Sequence, residues 1–252
     1  MKIKERMKRY GLIGNPLGHS FSRKYFTDKF IREGISGCEY ELFPIEQIDL
    51  LPQLLASYPD LAGLNVTIPY KKEVIPYLTD KSNLPEGLNA CNCIRIKDGN
   101  LTGFNTDVTG FRLSISPMLM PHHTHALILG NGGATAAVKH ALGELKLQYS
   151  VVSRLRSSGA DLVYEDLNAE VLGRYTVIIN TTPLGTNPDI HLAPQIPYEL
   201  LGAGHLLYDL VYNPEVTTFM KKGLERGAVV KNGYDMLVIQ AEESWKIWNT
   251  SD

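Results

Sequence analysis

Residues 126–147 restrict the fold of this chain more than any other stretch. A short apolar run at 126–129 enters Gly130-Asn131-Gly132-Gly133-Ala134-Thr135, and an alanine-rich stretch with helical spacing follows to 147. Glycines let the main chain turn sharply, and a helix begun on that turn presents its free N–H groups and positive end beside the strand terminus. Such an end takes an anion, above all the pyrophosphate of a dinucleotide. Thr135 stands where the general fingerprint has its third glycine, so the match is partial and its place between strand and helix carries the reading.

The same alternation continues on either side. Short apolar runs at 150–153, 177–180 and 205–209 have the composition of buried parallel strands, which predicts a doubly wound sheet. Upstream, strands are expected at 10–14, 38–43 and 63–68. Helices are expected from a Ser22 cap to about Glu33 with Gly34 as the stop, over 45–58, and again from near Lys71. Extended segments at 90–96 and 101–105 flank Lys97-Asp98-Gly99-Asn100, a hairpin turn that implies an antiparallel pair. A helix should then run from 107 toward 119 and a further one over 236–248, with Leu237, Ala241, Trp245 and Trp248 on its apolar face. Residues 121–124 break the pattern, and a domain boundary is expected near there.

The fold class is therefore α/β: an N-terminal α/β substrate domain with a mixed sheet, then a C-terminal Rossmann-type doubly wound parallel-sheet domain. We expect the first over 1–107 and the second over 108–235, with the helix at 236–252 packing back onto the first.

Bulk properties exclude several classes. A net charge of -2 over 252 residues, with 44% hydrophobic and 21% charged, makes no case for nucleic acid or membrane as partner. The first ten residues are basic, but neither a signal-peptide core nor a membrane-length run follows, so a cytoplasmic location is expected. Three cysteines, Cys38, Cys91 and Cys93, do not form a disulfide framework. His122, His123 and His125 read as a polar linker rather than a metal tract, and no metal is expected.

At the end of the second strand of the glycine-loop unit, NAD-type proteins tend to carry an acid for the ribose hydroxyls. This chain has Ser153-Arg154-Leu155-Arg156-Ser157-Ser158, whose guanidiniums and hydroxyls suit a 2′-phosphate, so NADP is favoured over NAD. A solvated basic loop is the plainer reading of the same residues.

Residues 65–71, Asn-Val-Thr-Ile-Pro-Tyr-Lys, read as a strand that runs out at a proline. Alternation puts Asn65 and Thr67 on one face and anchors Val66 and Ile68 on the other. An amide, a hydroxyl and the Lys71 ammonium then gather at one strand end. They suit a small polyhydroxylated ligand with one position where a proton moves, although an ordinary solvated strand end offers the same groups. Ser20 and Ser22, at a predicted helix N-terminus, outline a carboxylate site; a plain serine cap is again the simpler alternative.

Taken in order, these stretches resemble the shikimate dehydrogenase family over essentially the whole chain. They are GNPLGHSFS at 14–22, NVTIPYK at 65–71, NACN at 89–92, NTD at 105–107, GNGGA at 130–134, SR at 153–154, NTTPLG at 180–185, YDLVY at 208–212 and GYDMLVIQ at 233–240. The resemblance implies NADP-linked, reversible reduction of 3-dehydroshikimate to shikimate in aromatic amino-acid biosynthesis, by a monomer or homodimer. It makes Lys71 and Asp107 the catalytic pair. Ser20, Ser22 and Tyr212 would hold the substrate carboxylate; Asn65, Thr67, Asn92 and Gln240 would bond the ring hydroxyls. Gly130, Asn131, Gly132, Gly133 and Ala134 would cradle the pyrophosphate, and Ser153, Arg154 and Arg156 would meet the adenosine phosphate. Leu210 and Gly233 would lie along the nicotinamide.

Three departures stand out. Arg23 replaces a proline after the second serine, Ser-Arg-Leu replaces Asn-Arg-Thr at 153–155, and Asp235 replaces a glycine near the nicotinamide end. Oxidation of quinate, use of NAD, or a non-catalytic nucleotide sensor of the same fold are the competing readings.

Overall fold

The computed structural model describes residues 7–18 and 20–250, and of Ser157 the backbone only. His19 of the first motif, residues 1–6 of the basic N-terminal segment and residues 251–252 of the expected C-terminal helix lie outside the described residues. The chain divides into two compact units, Met1–Thr106 with Gln240–Asp252, and Asp107–Ile239.

The first unit runs β1 (Lys8–Gly14), α1 (Phe21–Arg32), β2 (Cys38–Pro44), α2 (Leu51–Ser57), β3 (Leu61–Val66), β4 (Cys93–Lys97) and β5 (Asn100–Phe104). Its sheet has the order β2-β1-β3-β4-β5. The pairs of β1 with β2 and β3 are parallel, and β3 with β4 and β4 with β5 are antiparallel, so the sheet is mixed as expected. Asp98 and Gly99 both adopt positive φ, the geometry of a two-residue hairpin turn.

Side-chain alternation gives this sheet two cores. Ile13, Phe43, Leu51, Leu64 and Val66 pack on one face. On the other, Tyr10, Leu12, Phe26, Phe30 and Tyr40 pack with Ala241 and Trp248 of the C-terminal helix. Gly63 is required there: a Cβ would run into the Trp248 indole, whose Nε1 donates to the Ile94 carbonyl at 3.0 Å. Buried Lys29 ties the same helix down through Glu242 and also pairs with Glu33, both at 2.9 Å.

The second unit begins with α3, whose full span is Thr106–Ile115, and continues through β6 (His125–Leu129), α4 (Gly133–Glu144), β7 (Gln148–Ser153), β8 (Leu162–Val163), α5 (Ala169–Arg174), β9 (Val177–Asn180), β10 (Leu206–Asp209), α6 (Thr218–Leu224) and β11 (Val229–Lys231); α7 (Tyr234–Asn249) starts here and ends in the first unit. The sheet order is β11-β10-β9-β6-β7-β8, and every pair is parallel. Numbered within the unit this is the 3-2-1-4-5-6 order of a doubly wound dinucleotide fold, with the switch point between β6 and β9. Strands β9 and β10 are buried at every residue, which is why they read as continuous apolar runs.

Local boundaries differ from the sequence reading in physically clear ways. Ser20, not Ser22, caps α1: its backbone is extended and its Oγ accepts from the Arg23 N–H at 3.3 Å. Gly34 takes positive φ just past that helix, as a stop should. The helix expected over 45–58 shrinks to α2, because Pro52 fits only a first turn. No α-helix begins near Lys71; the described chain there is turns and a short 3-10 segment, Ile75–Tyr77, interrupted by Pro76. Pro117 limits α3 to Ile115, and Lys146 with φ +60° ends the region of α4 before 147. The break at 121–124 lies within the second unit, where the His122 ring bonds the Gly204 carbonyl. Strands β8 and β11 are too short to have shown a pattern.

Candidate active site

In the first unit the candidate site residues sit where β1 and β3 end and β4 begins. Strand β3 stops at Val66, so Thr67 to Lys71 form a turn rather than further strand. Ile68 is 71% exposed and anchors nothing, contrary to the alternation expected for it. The turn is fixed by its neighbours instead. The Thr67 N–H donates to Ile13 O at 3.0 Å, buried Tyr70 donates its hydroxyl to Ile45 O at 2.6 Å, and the Cys91 N–H donates to Lys71 O at 2.7 Å. Lys71 is half-buried and Lys72 is exposed.

Asn65 points inward from β3. Its Oδ1 accepts the Tyr40 hydroxyl at 2.8 Å, and its Nδ2 donates to Ser244 Oγ at 2.9 Å. Asn92 is engaged in the same way, accepting the Thr106 N–H at 2.6 Å and donating to Thr106 Oγ1 at 3.0 Å. Gln240 is buried with its Oε1 3.4 Å from Thr106 Oγ1. Burial raises the pKa of Tyr40, so its hydroxyl remains neutral, and Ser22 is half-buried on α1. Arg23 is exposed on α1. Tyr40, Thr106 and Ser244 thus hydrogen-bond the candidate residues Asn65 and Asn92, contacts that sequence reasoning missed. The one available signal was Ser244, a full helical turn from Gln240 and so on its face.

In the second unit, Gly130 closes β6 with φ +106°, and a Cβ there would lie 2.9 Å from Thr182 Cγ2. Gly132 is the N-cap of α4 and supplies no side-chain bond to the first turn, while around Gly132 and Gly133 the space a Cβ would take is open. The backbone donors of that turn are therefore accessible to a phosphate, and the residues fit a pyrophosphate. Thr135, in the third glycine position, is buried and donates to Gly130 O at 3.1 Å, which stiffens the loop. Ala134, half-buried, follows Gly133 in the first turn.

Asn131 reaches across to the second loop, donating to Ser158 O at 2.8 Å. Half-buried Ser153 ends β7 and Arg154 is exposed beside it. Arg156 donates through its Nη2 to both oxygens of Asp166, at 2.6 and 2.8 Å, so that end of its guanidinium is already engaged. At the far edge the Leu210 N–H donates to Asn180 O at 3.0 Å, and Gly233 packs so closely on Leu210 that a Cβ would collide with its carbonyl. Tyr212 follows two residues on, half-buried. Asp235 is exposed and pairs with Lys231, which accounts for an acid at that place. Asp107 opens α3 in its first turn.

Buried Asp209 ends β10 and was not singled out from sequence. Burial raises its carboxyl to about 6, against three hydrogen bonds that favour the anion, from Thr217 Oγ1 at 2.6 Å, Asn180 Nδ2 at 2.9 Å and the Val211 N–H at 3.0 Å. Among the described residues no group of three or more His, Cys, Asp or Glu is placed to hold a metal, and no helix is long and apolar enough to cross a membrane.

The mixed sheet and the doubly wound sheet with its glycine turn define a two-unit α/β protein of the dinucleotide-dependent oxidoreductase class. Residues 12–94 match the family described as "Shikimate dehydrogenase substrate binding domain". The chain is 36% identical over 261 residues to the shikimate dehydrogenase (NADP(+)) of Halothermothrix orenii, covering 94% of this chain and 89% of that one. It is 34% identical over 256 residues to the Ignicoccus hospitalis enzyme of the same name, covering 95% and 92%. Among solved structures, the shikimate 5-dehydrogenase of Thermus thermophilus in complex with NADP(H) and shikimate superposes with a TM-score of 0.81 at 27% identity, over 96% of this chain and 94% of that one. This chain belongs to the shikimate dehydrogenase family.

Proposed function

We propose that the protein interconverts 3-dehydroshikimate and shikimate with NADP(H), as an enzyme of chorismate biosynthesis. The observation that carries this is an intact set of reacting groups, Lys71, Asp107 and the glycine loop, in a chain aligned along 95% of its length with an NADP-linked shikimate dehydrogenase. NADP(H), held at the glycine turn, would supply the hydride that the ketone carbon receives. Negative charge then grows on the ketone oxygen, and the Lys71 ammonium stabilises it and donates the proton that completes the alcohol. In oxidation the same nitrogen takes that proton back. The Asp107 carboxylate would orient the substrate hydroxyl.

Ser20 and Ser22 would receive the substrate carboxylate at the start of α1 with Tyr212, while Thr67 and Gln240 would meet the ring hydroxyls. Gly130, Asn131, Gly132, Gly133 and Ala134 would hold the pyrophosphate, and Leu210 and Gly233 would border the nicotinamide. Because Arg156 is engaged by Asp166, Arg154 and Ser153 carry the preference for a 2′-phosphate. Three cysteines held in no disulfide agree with a cytoplasmic enzyme, working as a monomer or homodimer.

Purified protein should reduce NADP with shikimate far faster than with quinate, and far faster than it reduces NAD. Equal or better rates with quinate or NAD overturn the assignment.

A further inference from the structure

We propose that Ser244 is a positioning residue for the substrate acid, and that Asn65 acts through Ser244 rather than by touching the ligand. The inference rests on the reductase reading above. Ser244 is fully buried, one turn beyond Gln240 in α7. Its Oγ accepts from Asn65 Nδ2 at 2.9 Å and donates to the Gln240 main-chain carbonyl at 2.9 Å. An amide N–H needs an acceptor and a carbonyl needs a donor, and a hydroxyl serves both at once.

The remaining polar atoms of Asn65 are also turned into the protein. Its Oδ1 takes the Tyr40 hydroxyl at 2.8 Å, and Asn92 O lies 3.4 Å from Nδ2. A buried line of hydrogen bonds therefore joins Tyr40 of β2, through Asn65 of β3, to the turn of α7 that bears Gln240. A hydroxyl bonded to the carbonyl one turn back also tilts that carbonyl, so Ser244 sets the direction from which the Gln240 side chain departs. Thr106, 3.5 Å from Ser244 Oγ, carries the line on to Asn92. Without the hydroxyl, Asn65 regains an acceptor for that N–H only by rotating its amide, which pulls on Tyr40.

The test is steady-state kinetics on wild type, Ser244→Ala, Asn65→Leu and the double variant. Loss of the buried hydrogen bond should raise KM for shikimate about tenfold in Ser244→Ala, with kcat within about threefold and KM for NADP unchanged. The double variant should be no worse than the poorer single variant, because both remove one link. Multiplying KM effects would show that Asn65 meets the ligand directly, and an unchanged KM beside a lowered melting temperature would show a purely structural serine; either overturns the inference. If Ser244→Ala fails to fold, Ser244→Cys fills the same space with a weaker partner and should raise KM by a smaller factor, and an unchanged KM there also overturns it. A wild type that does not turn over shikimate overturns the reductase reading itself and this inference with it, whereas a wild type that does, with unaffected variants, sinks the inference alone.

Discussion

Lys71 owes its place to main-chain bonds rather than to the strand that precedes it. The bond to Cys91 and the buried Tyr70 ring hold the turn whatever side chain stands at 71. Lys71→Ala should therefore lower kcat by about a hundredfold or more, in the range for a lost proton donor, while the melting temperature stays within about a degree. A variant with near-normal turnover would remove Lys71 from the mechanism. Gly130 is the opposite case, because its φ of +106° and its closeness to Thr182 admit no side chain. Gly130→Ala should destabilise the protein by about 1–3 kcal/mol and weaken NADP binding, both readable by denaturation with and without the nucleotide. Arg154→Ala should raise KM for NADP well beyond any change for NAD, since only the former carries the extra phosphate.

Among elements, α7 closes one face of the first unit's sheet, with Trp248 buried in that core. That ring stacks on Tyr10 with centroids 4.8 Å apart and fills the space over Gly63. Trp248→Ala should cost about 3–5 kcal/mol in urea unfolding, as large-to-small changes of buried aromatics do. The C-terminal end of β10 should show a pH signature. Asp209 rises from an ordinary 3.8 to about 6, so the native state holds this proton more tightly than the unfolded chain. Stability from this group is full below its unfolded value and is lost as pH rises through about 6. Thr217→Val removes a donor to the carboxylate and raises the folded value further. Its penalty should be larger near pH 8 than near pH 4 by about 1–2 kcal/mol, the worth of a hydrogen bond to a charged group. An equal penalty at both ends would show that Thr217 matters only as the cap of α6.

At the scale of the whole molecule, two units with separate cores imply separable ligand effects. Hydrogen exchange with shikimate should slow at 20–22, 67–71 and 240, and with NADP at 130–135 and 153–154. Saturation of a site at a hundred times its Kd should add about 2.7 kcal/mol of apparent stability. The doubly wound unit was the more legible of the two. Its central strands β9 and β10 are buried throughout and mostly apolar, and its glycine turn has a fixed place, so local sequence and tertiary role agree. The first unit was less legible where proline and turn geometry overrode periodicity, as at 45–58 and after Lys71. The short strands β8 and β11 left no pattern to read.

The sequence by itself determined the class of fold, the glycine turn, the ordered motifs and so the family, because each depends on residue type and spacing. Only the tertiary structure showed that β3 ends at Val66, that Asp166 occupies Arg156, and that Asn65 faces Tyr40 and Ser244. Those facts depend on which donors and acceptors meet after distant segments fold together. Asn65 and Ser244 are 179 positions apart, and no local pattern reports such a pairing.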